Sequence, residues 1–253
     1  MRLVQLLCFA IVLSVVAGVV SGQDVVGDAG ARWLRVLERF VNDRGQVDFM
    51  GMAEEPADLS GYVDYIARVS PASAPEWFPS QEARLAYYIN AYNALAMFNV
   101  VRTGIPASLT GLTKFRFFWL SEFLVGGESM SLYSLENRII RPMGDERVHF
   151  ALNCMSVGCP RLPREPFSAA RLGEQLDREA RRFFGEARNL QIDNKHAIAH
   201  VSEILKFYTE DFLRKSPSLI AYIDRYAPEK VPDGYAVTFI EYDWTVNGQR
   251  RSR

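Results

Sequence analysis

Cysteine is nearly absent from this 253-residue chain, which has only Cys8, Cys154 and Cys159. That excludes a disulfide-dense scaffold, and the spacings exclude a paired Cys-x-x-Cys zinc motif. Histidine is as scarce, with His149, His196 and His200, so neither a metal nor another cofactor is expected. Charge of one sign is missing too. With 29 Lys and Arg against 30 Asp and Glu, no global positive field exists to hold nucleic acid, and no such partner is expected. Repeats, homopolymers and long Gly/Ser linkers are lacking between residues 28 and 247, which therefore read as the core of one domain.

Long apolar runs are lacking apart from Leu3–Val20, preceded by Arg2 and followed by the small residues Ser21 and Gly22. That pattern predicts a signal peptide over residues 1–22, cleaved near Gly22-Gln23, and a secreted or periplasmic domain over 23–253 with no membrane attachment after cleavage. An uncleaved anchor is the alternative, since about 18 apolar residues just span a bilayer.

What is present is ordinary globular material, 49% hydrophobic and 12% aromatic. Trp33, Leu34, Leu37, Phe40 and Val41 recur at helical spacing, and a strand-like Gln46–Phe49 follows. A second helix is predicted over Leu59–Val69. Ser80 as a start signal and Gly104 before Ile105-Pro106 as a stop predict a long helix over Gln81–Thr103, apolar nearly all round and so central. Gly126-Gly127 and Asp193–His196 predict hairpins. Further helices are expected over Leu132–Arg141, Ser168–Phe184, Glu203–Leu213 and Leu219–Tyr226, with extended runs at Val148–Leu152 and Val237–Tyr242. The fold class is α+β: a helix-rich single domain with short antiparallel strands and hairpins.

Reactive side chains concentrate in His149-Phe150-Ala151-Leu152-Asn153-Cys154-Met155-Ser156-Val157-Gly158-Cys159-Pro160. A cysteine is a useful nucleophile only as thiolate, which a neighbouring imidazole or a helix N-terminus favours. If 148–153 is a strand, His149 and Asn153 share a face opposite to Cys154, so a direct pair needs the chain to turn at Cys154. Ser156, Gly158 and Pro160 allow that turn. Two cysteines left in an oxidising compartment equally suit a disulfide, and both readings stand open at this point. His196 reads as a solvated turn residue, and His200, beside Ile198 on one strand face, as a packed histidine and a secondary candidate base. Asn90 and Asn93 share one face of the central helix, where buried amides need partners; the expectation is that they brace the 153–160 loop. Glu136 has two readings, as the group that orients His149 or as a partner of Arg138 or Arg141.

Six stretches resemble the domain of unknown function 547 family of secreted and lipid-anchored bacterial proteins: Gly45–Phe49, Tyr88–Ala94, Leu132–Glu136 with Arg141, His149–Pro160, Tyr208–Phe212 and Tyr242–Asn247. The motif positions matching here are Asn90, Tyr92, Asn93, Glu136, His149, Asn153, Cys154, Ser156 and Cys159. The family usually has His and Trp where this chain has Asn137 and Phe207. The resemblance implies no settled reaction. From the residues, the first reading is a cofactor-free thiol hydrolase or acyl-transfer enzyme of peptidase type. In it Cys154 is nucleophile, His149 base, Glu136 its orienter and Asn153 or a backbone N–H the oxyanion donor, with a small-molecule or peptide-like substrate. The alternative is a non-enzymatic binding module whose recognition loop is stapled by a Cys154–Cys159 disulfide.

Overall fold

The computed structural model describes residues 22–249. Of the expected leader only Gly22 falls among them, as the first residue of a helix; the rest lies outside the described residues. Helices α1 (Gly22–Phe40), α2 (Phe49–Glu54), α3 (Ala57–Arg68) and α4 (Gln81–Arg102) form the first half. The apolar stripe of α1 is buried through Trp33, Val36, Leu37 and Phe40, and Trp33 stacks on Tyr62 of α3 with ring centroids 5.4 Å apart. Ser80 caps α4, its hydroxyl accepting from Ala83 N at 3.1 Å. From Leu85 to Val100 only Phe98 escapes full burial, which is why that helix lacks a polar face. Among the described residues no helix is long and apolar enough to cross a membrane.

The short α5 (Gly111–Phe115) runs on as one π-helical turn to Leu120. Strands β1 (Glu122–Val125) and β2 (Glu128–Ser131) then pair antiparallel across Gly126-Gly127. Both glycines have positive φ, as a two-residue hairpin loop demands. Gly126 is also a close-approach site: its N–H donates to Ile66 O, and a Cβ there would lie 2.1 Å from Ser70 Oγ. The hairpin is thereby docked onto the end of α3.

After α6 (Leu132–Ser134) the helix widens into a π-turn over Leu135–Ile140. The predicted extended run at 148–152 is instead a 3-10 turn over Glu146–Phe150, started by Asp145, whose carboxylate accepts from Arg147 N. Val148, His149 and Phe150 are all buried, so the alternation that read as a two-faced strand reflects burial on every side. Helix α7 (Leu172–Phe184) leads to β3 (Leu190–Asp193) and β4 (Ile198–Ser202), the second expected hairpin. The single helix expected over 203–213 is broken at Tyr208 into α8 (Ile204–Phe207) and α9 (Thr209–Leu213). After α10 (Leu219–Ile223), β5 (Ala236–Ile240) adds to the sheet parallel to β4, a crossover the turn pattern did not announce. The strand-like 46–49 is reduced to single bridges from Val47, while Asp48 caps α2.

The segment beyond β5 matters most for the site. It is not a regular strand, yet its backbone laces three loops together: Leu109 N donates to Trp244 O, Val157 N to Thr245 O, Gly158 N to Asp243 O and Val47 N to Asn247 O, each at 2.8–3.0 Å. Tyr242 is thus delivered to the loop that holds both cysteines.

Candidate functional site

The cysteine loop is shaped by amides. Asn153 folds back over it, its Nδ2 donating to Pro160 O at 2.7 Å and its Oδ1 accepting from Met155 N at 2.7 Å. Met155 adopts φ +70°, an unusual conformation for a non-glycine that the surrounding bonds hold in place. From below, Asn93 of α4 donates to Ala151 O at 3.0 Å and accepts from Asn153 N at 2.8 Å. Asn93 therefore braces the entry to the loop. Asn90 does not reach it: its amide is spent on the Phe167 backbone, with a donor at 2.8 Å and an acceptor at 3.0 Å, and on Trp33 Nε1. Arg188 closes the outer side by donating to the carbonyls of Cys159 and Val157.

Inside the loop Cys154 and Cys159 are both free and buried, with sulfurs 2.8 Å apart. No disulfide joins them, so the staple of the binding-module reading is absent from this structure. The Cys159 sulfur accepts from the Cys154 backbone N–H at 2.9 Å and from the Tyr242 hydroxyl at 3.0 Å. Ser156 Oγ lies 3.0 Å from the Cys154 sulfur and 3.0 Å from Tyr242 Oη. Burial opposes ionising either thiol. At Cys159 the hydrogen bonds from Cys154, Tyr242 and Ser156 outweigh it, and the thiol is pulled down to about 6. Burial together with the neighbouring Cys159 pushes Cys154 well above the ordinary thiol value. The donors around the pair therefore favour an ionised sulfur at Cys159 and a protonated one at Cys154.

His149 is 3% exposed and stacks flat on Tyr208, ring centroids 3.7 Å apart. Its Nε2 is hydrogen-bonded to Asp211 Oδ2 at 2.8 Å, and the same carboxylate oxygen accepts from Arg141 Nε at 2.8 Å. These bonds hold the Asp211 carboxyl far below the usual carboxylate range, against the effect of burial. Glu136 makes no hydrogen bond to His149; it accepts from the Tyr208 hydroxyl at 2.5 Å. The orienting group is thus Asp211, and Glu136 orients the tyrosine that covers the ring. Neither sulfur is hydrogen-bonded to His149. All three side chains nevertheless line one cavity of about 70 Å³, together with Tyr92, Glu136 and Tyr242, and its apolar remainder includes Phe118, Phe207 and Trp244.

The side chain of Asn153 is committed to the loop backbone and does not line the cavity, so the expected oxyanion role is not supported. His196 pairs with Asp193 at the surface and His200 with Thr238, both away from the cavity. Two residues central to the geometry, Asp211 and Tyr242, were not singled out from the sequence. Each lies in a stretch that carried the family resemblance, which was the available signal.

Comparison with known families follows the same residues. Residues 78–184 match the family described as Protein of unknown function, DUF547. This supports the resemblance drawn from the sequence. The DUF547 segment runs from before α4 to the end of α7 and contains Asn93, Glu136, His149, Asn153 and both cysteines. Tyr208, Asp211 and Tyr242 lie beyond it, so the site is completed by the C-terminal third of the chain. Comparison with curated proteins and with solved structures finds no match.

Proposed function

We propose that this protein is a thiol-dependent hydrolase or acyl-transfer enzyme that needs no cofactor and takes a small-molecule or peptide-like substrate. The observation that carries the reading is the convergence of an ionisable cysteine pair and an Asp211-oriented His149 on one cavity. The nucleophile is the thiolate of the pair. Its donors favour Cys159 over the Cys154 expected from the sequence, because Cys159 collects the Cys154 N–H and the Tyr242 hydroxyl. His149 serves as the acid–base that protonates the leaving group, held by Asp211 in the manner of a triad. No hydrogen bond joins it to either sulfur and all three line one cavity, so its proton passes to or from bound substrate rather than directly to or from the thiol.

The test is acylation by a short-chain p-nitrophenyl ester. The expected result is a rapid burst of nitrophenolate with an acyl adduct on Cys159 in the intact mass, absent in Cys159→Ser. A protein that gives neither burst nor adduct, although its thiols are free, would overturn this reading. Export belongs to the same proposal and rests on the apolar leader; a mature mass beginning near Gln23 is the expected outcome, and a mass retaining residues 1–22 would refute it.

A further inference from the structure

The spacing of the two sulfurs permits a chemistry that acyl transfer does not use. They stand 2.8 Å apart, whereas a disulfide needs about 2.05 Å, so bonding requires a movement of under about 1 Å. The loop already aims them at each other, since Cys154 N–H donates to Cys159 Sγ and Cys159 N–H to Ser156 O. Oxidation would also leave the two hydroxyls that now contact the sulfurs with a partner: Tyr242 Oη and Ser156 Oγ lie 3.0 Å from each other and can pair. A cysteine pair that served nucleophilic catalysis alone would need one sulfur, and here the second is buried against the first.

We infer that Cys154 and Cys159 form a reversible two-electron dithiol couple that reduces small disulfides with an apolar or aromatic body. The inference rests on the thiolate at Cys159 proposed above. The substrate class follows from the cavity, which is narrow and lined beyond the thiols by Phe118, Phe207 and Trp244. The Cys159 thiolate attacks one substrate sulfur; the substrate S–S bond breaks, and its second sulfur departs with the electron pair and takes the Cys154 proton. The Cys154 sulfur then attacks Cys159 Sγ, the mixed disulfide breaks, and the remaining half of the substrate leaves as thiolate. Two electrons pass from the pair to the substrate, which becomes one thiol and one thiolate, while the protein holds a Cys154–Cys159 disulfide.

The experiment uses the full-length reduced protein with dithiodipyridine, an aromatic disulfide, and in parallel with glutathione disulfide, followed by acid quench and intact mass. The expected product is native protein that has lost two thiols and carries no adduct. The rate ratio of aromatic disulfide to glutathione disulfide should be at least about tenfold above that of the reduced, denatured protein, which corrects for the better pyridinethiolate leaving group. A ratio equal to that of the denatured protein would overturn the substrate class. Cys154→Ser should stop at a stable mixed disulfide on Cys159. Native protein that accumulates a stable single adduct, or an adduct on each cysteine, would overturn the couple while leaving the thiolate and the acyl-transfer reading in place. A native protein whose thiols do not react with either disulfide would overturn the couple and the thiolate together. The native readout needs no variant to fold.

Discussion

The hydroxyl of Tyr242 donates to the sulfur of Cys159 at 3.0 Å and lies 3.3 Å from the sulfur of Cys154. One phenol therefore bridges two buried thiols, and its donor is placed to support a negative charge on Cys159. A hydrogen bond to an ionised acceptor in such surroundings is among the stronger ones a protein makes. The burial that raises the Tyr242 phenol well above its ordinary value keeps it protonated and so available as a donor.

Replacing Tyr242 with Phe removes that donor and leaves the ring. The thiolate at Cys159 loses one of its supports, and its titration should move upward from about 6. With a charged hydrogen bond worth about 1.5–3 kcal/mol, the midpoint of a pH–iodoacetamide labelling curve should rise by about 1–2 pH. An unchanged midpoint in a folded variant would show that Tyr242 does not stabilise the charge.

Asn93→Leu should separate the two asparagines that share a face of α4. It leaves Ala151 O and Asn153 N without their present partners, and should cost about 1–3 kcal/mol in denaturant unfolding while also slowing Cys159 labelling, because the loop entry loosens. Asn90→Leu releases the Phe167 backbone instead. It should destabilise by a similar amount with the labelling rate unchanged. Equal effects of both variants on labelling would contradict the division of roles.

The contrast between these two residues shows where sequence reading reaches and where it stops. Spacing put Asn90 and Asn93 on one buried face, and Ser80 and Gly126-Gly127 announced the start of α4 and the first hairpin, because caps and tight turns are local. The partner of each asparagine, in contrast, is decided by which backbone packs there, 77 residues away for Asn90 and 58 for Asn93. Tyr242 and Cys159 are 83 residues apart, and no local pattern encodes their contact. His149 was legible as a site residue from its neighbourhood, yet its orienting group was placed at Glu136, the nearer carboxylate on a helix. The break at Tyr208 brings Asp211 to the imidazole and turns Tyr208 onto its face, with Glu136 receiving the tyrosine hydroxyl.

Asp211→Asn tests that geometry through pH. The Asp211 carboxyl titrates below its ordinary value in the folded protein, so its contribution to stability is fully present above an unfolded value near 3.8 and is lost as pH falls through the lower folded value. The variant should therefore unfold at lower denaturant than the parent at pH 7, with the gap narrowing as pH drops below about 4. Ester turnover should fall in Asp211→Asn much more than in Glu136→Gln. A larger loss in the Glu136 variant would return the orienting role to Glu136.

Gly158→Ala probes the close approach that brings Tyr242 to the thiols. Gly158 has no left-handed backbone requirement, so an alanine there is opposed by space alone. Its Cβ would lie 2.9 Å from Asp243 N and 2.9 Å from the Tyr242 ring. The ring can tilt, but Asp243 N is backbone, and Gly158 N–H is itself bonded to Asp243 O at 2.8 Å, so the C-terminal segment has to move away from the cysteine loop. Such a displacement costs about 1–3 kcal/mol when a packed interior is overfilled. It should also lengthen the Tyr242 contacts, so that Gly158→Ala reproduces the upward shift in the Cys159 labelling curve expected for Tyr242→Phe. The double variant is the deciding measurement. If Gly158 acts through Tyr242, adding Gly158→Ala to Tyr242→Phe should move the labelling midpoint little further, although the stability loss persists; two fully additive midpoint shifts would mean that the glycine shapes the thiols by another route.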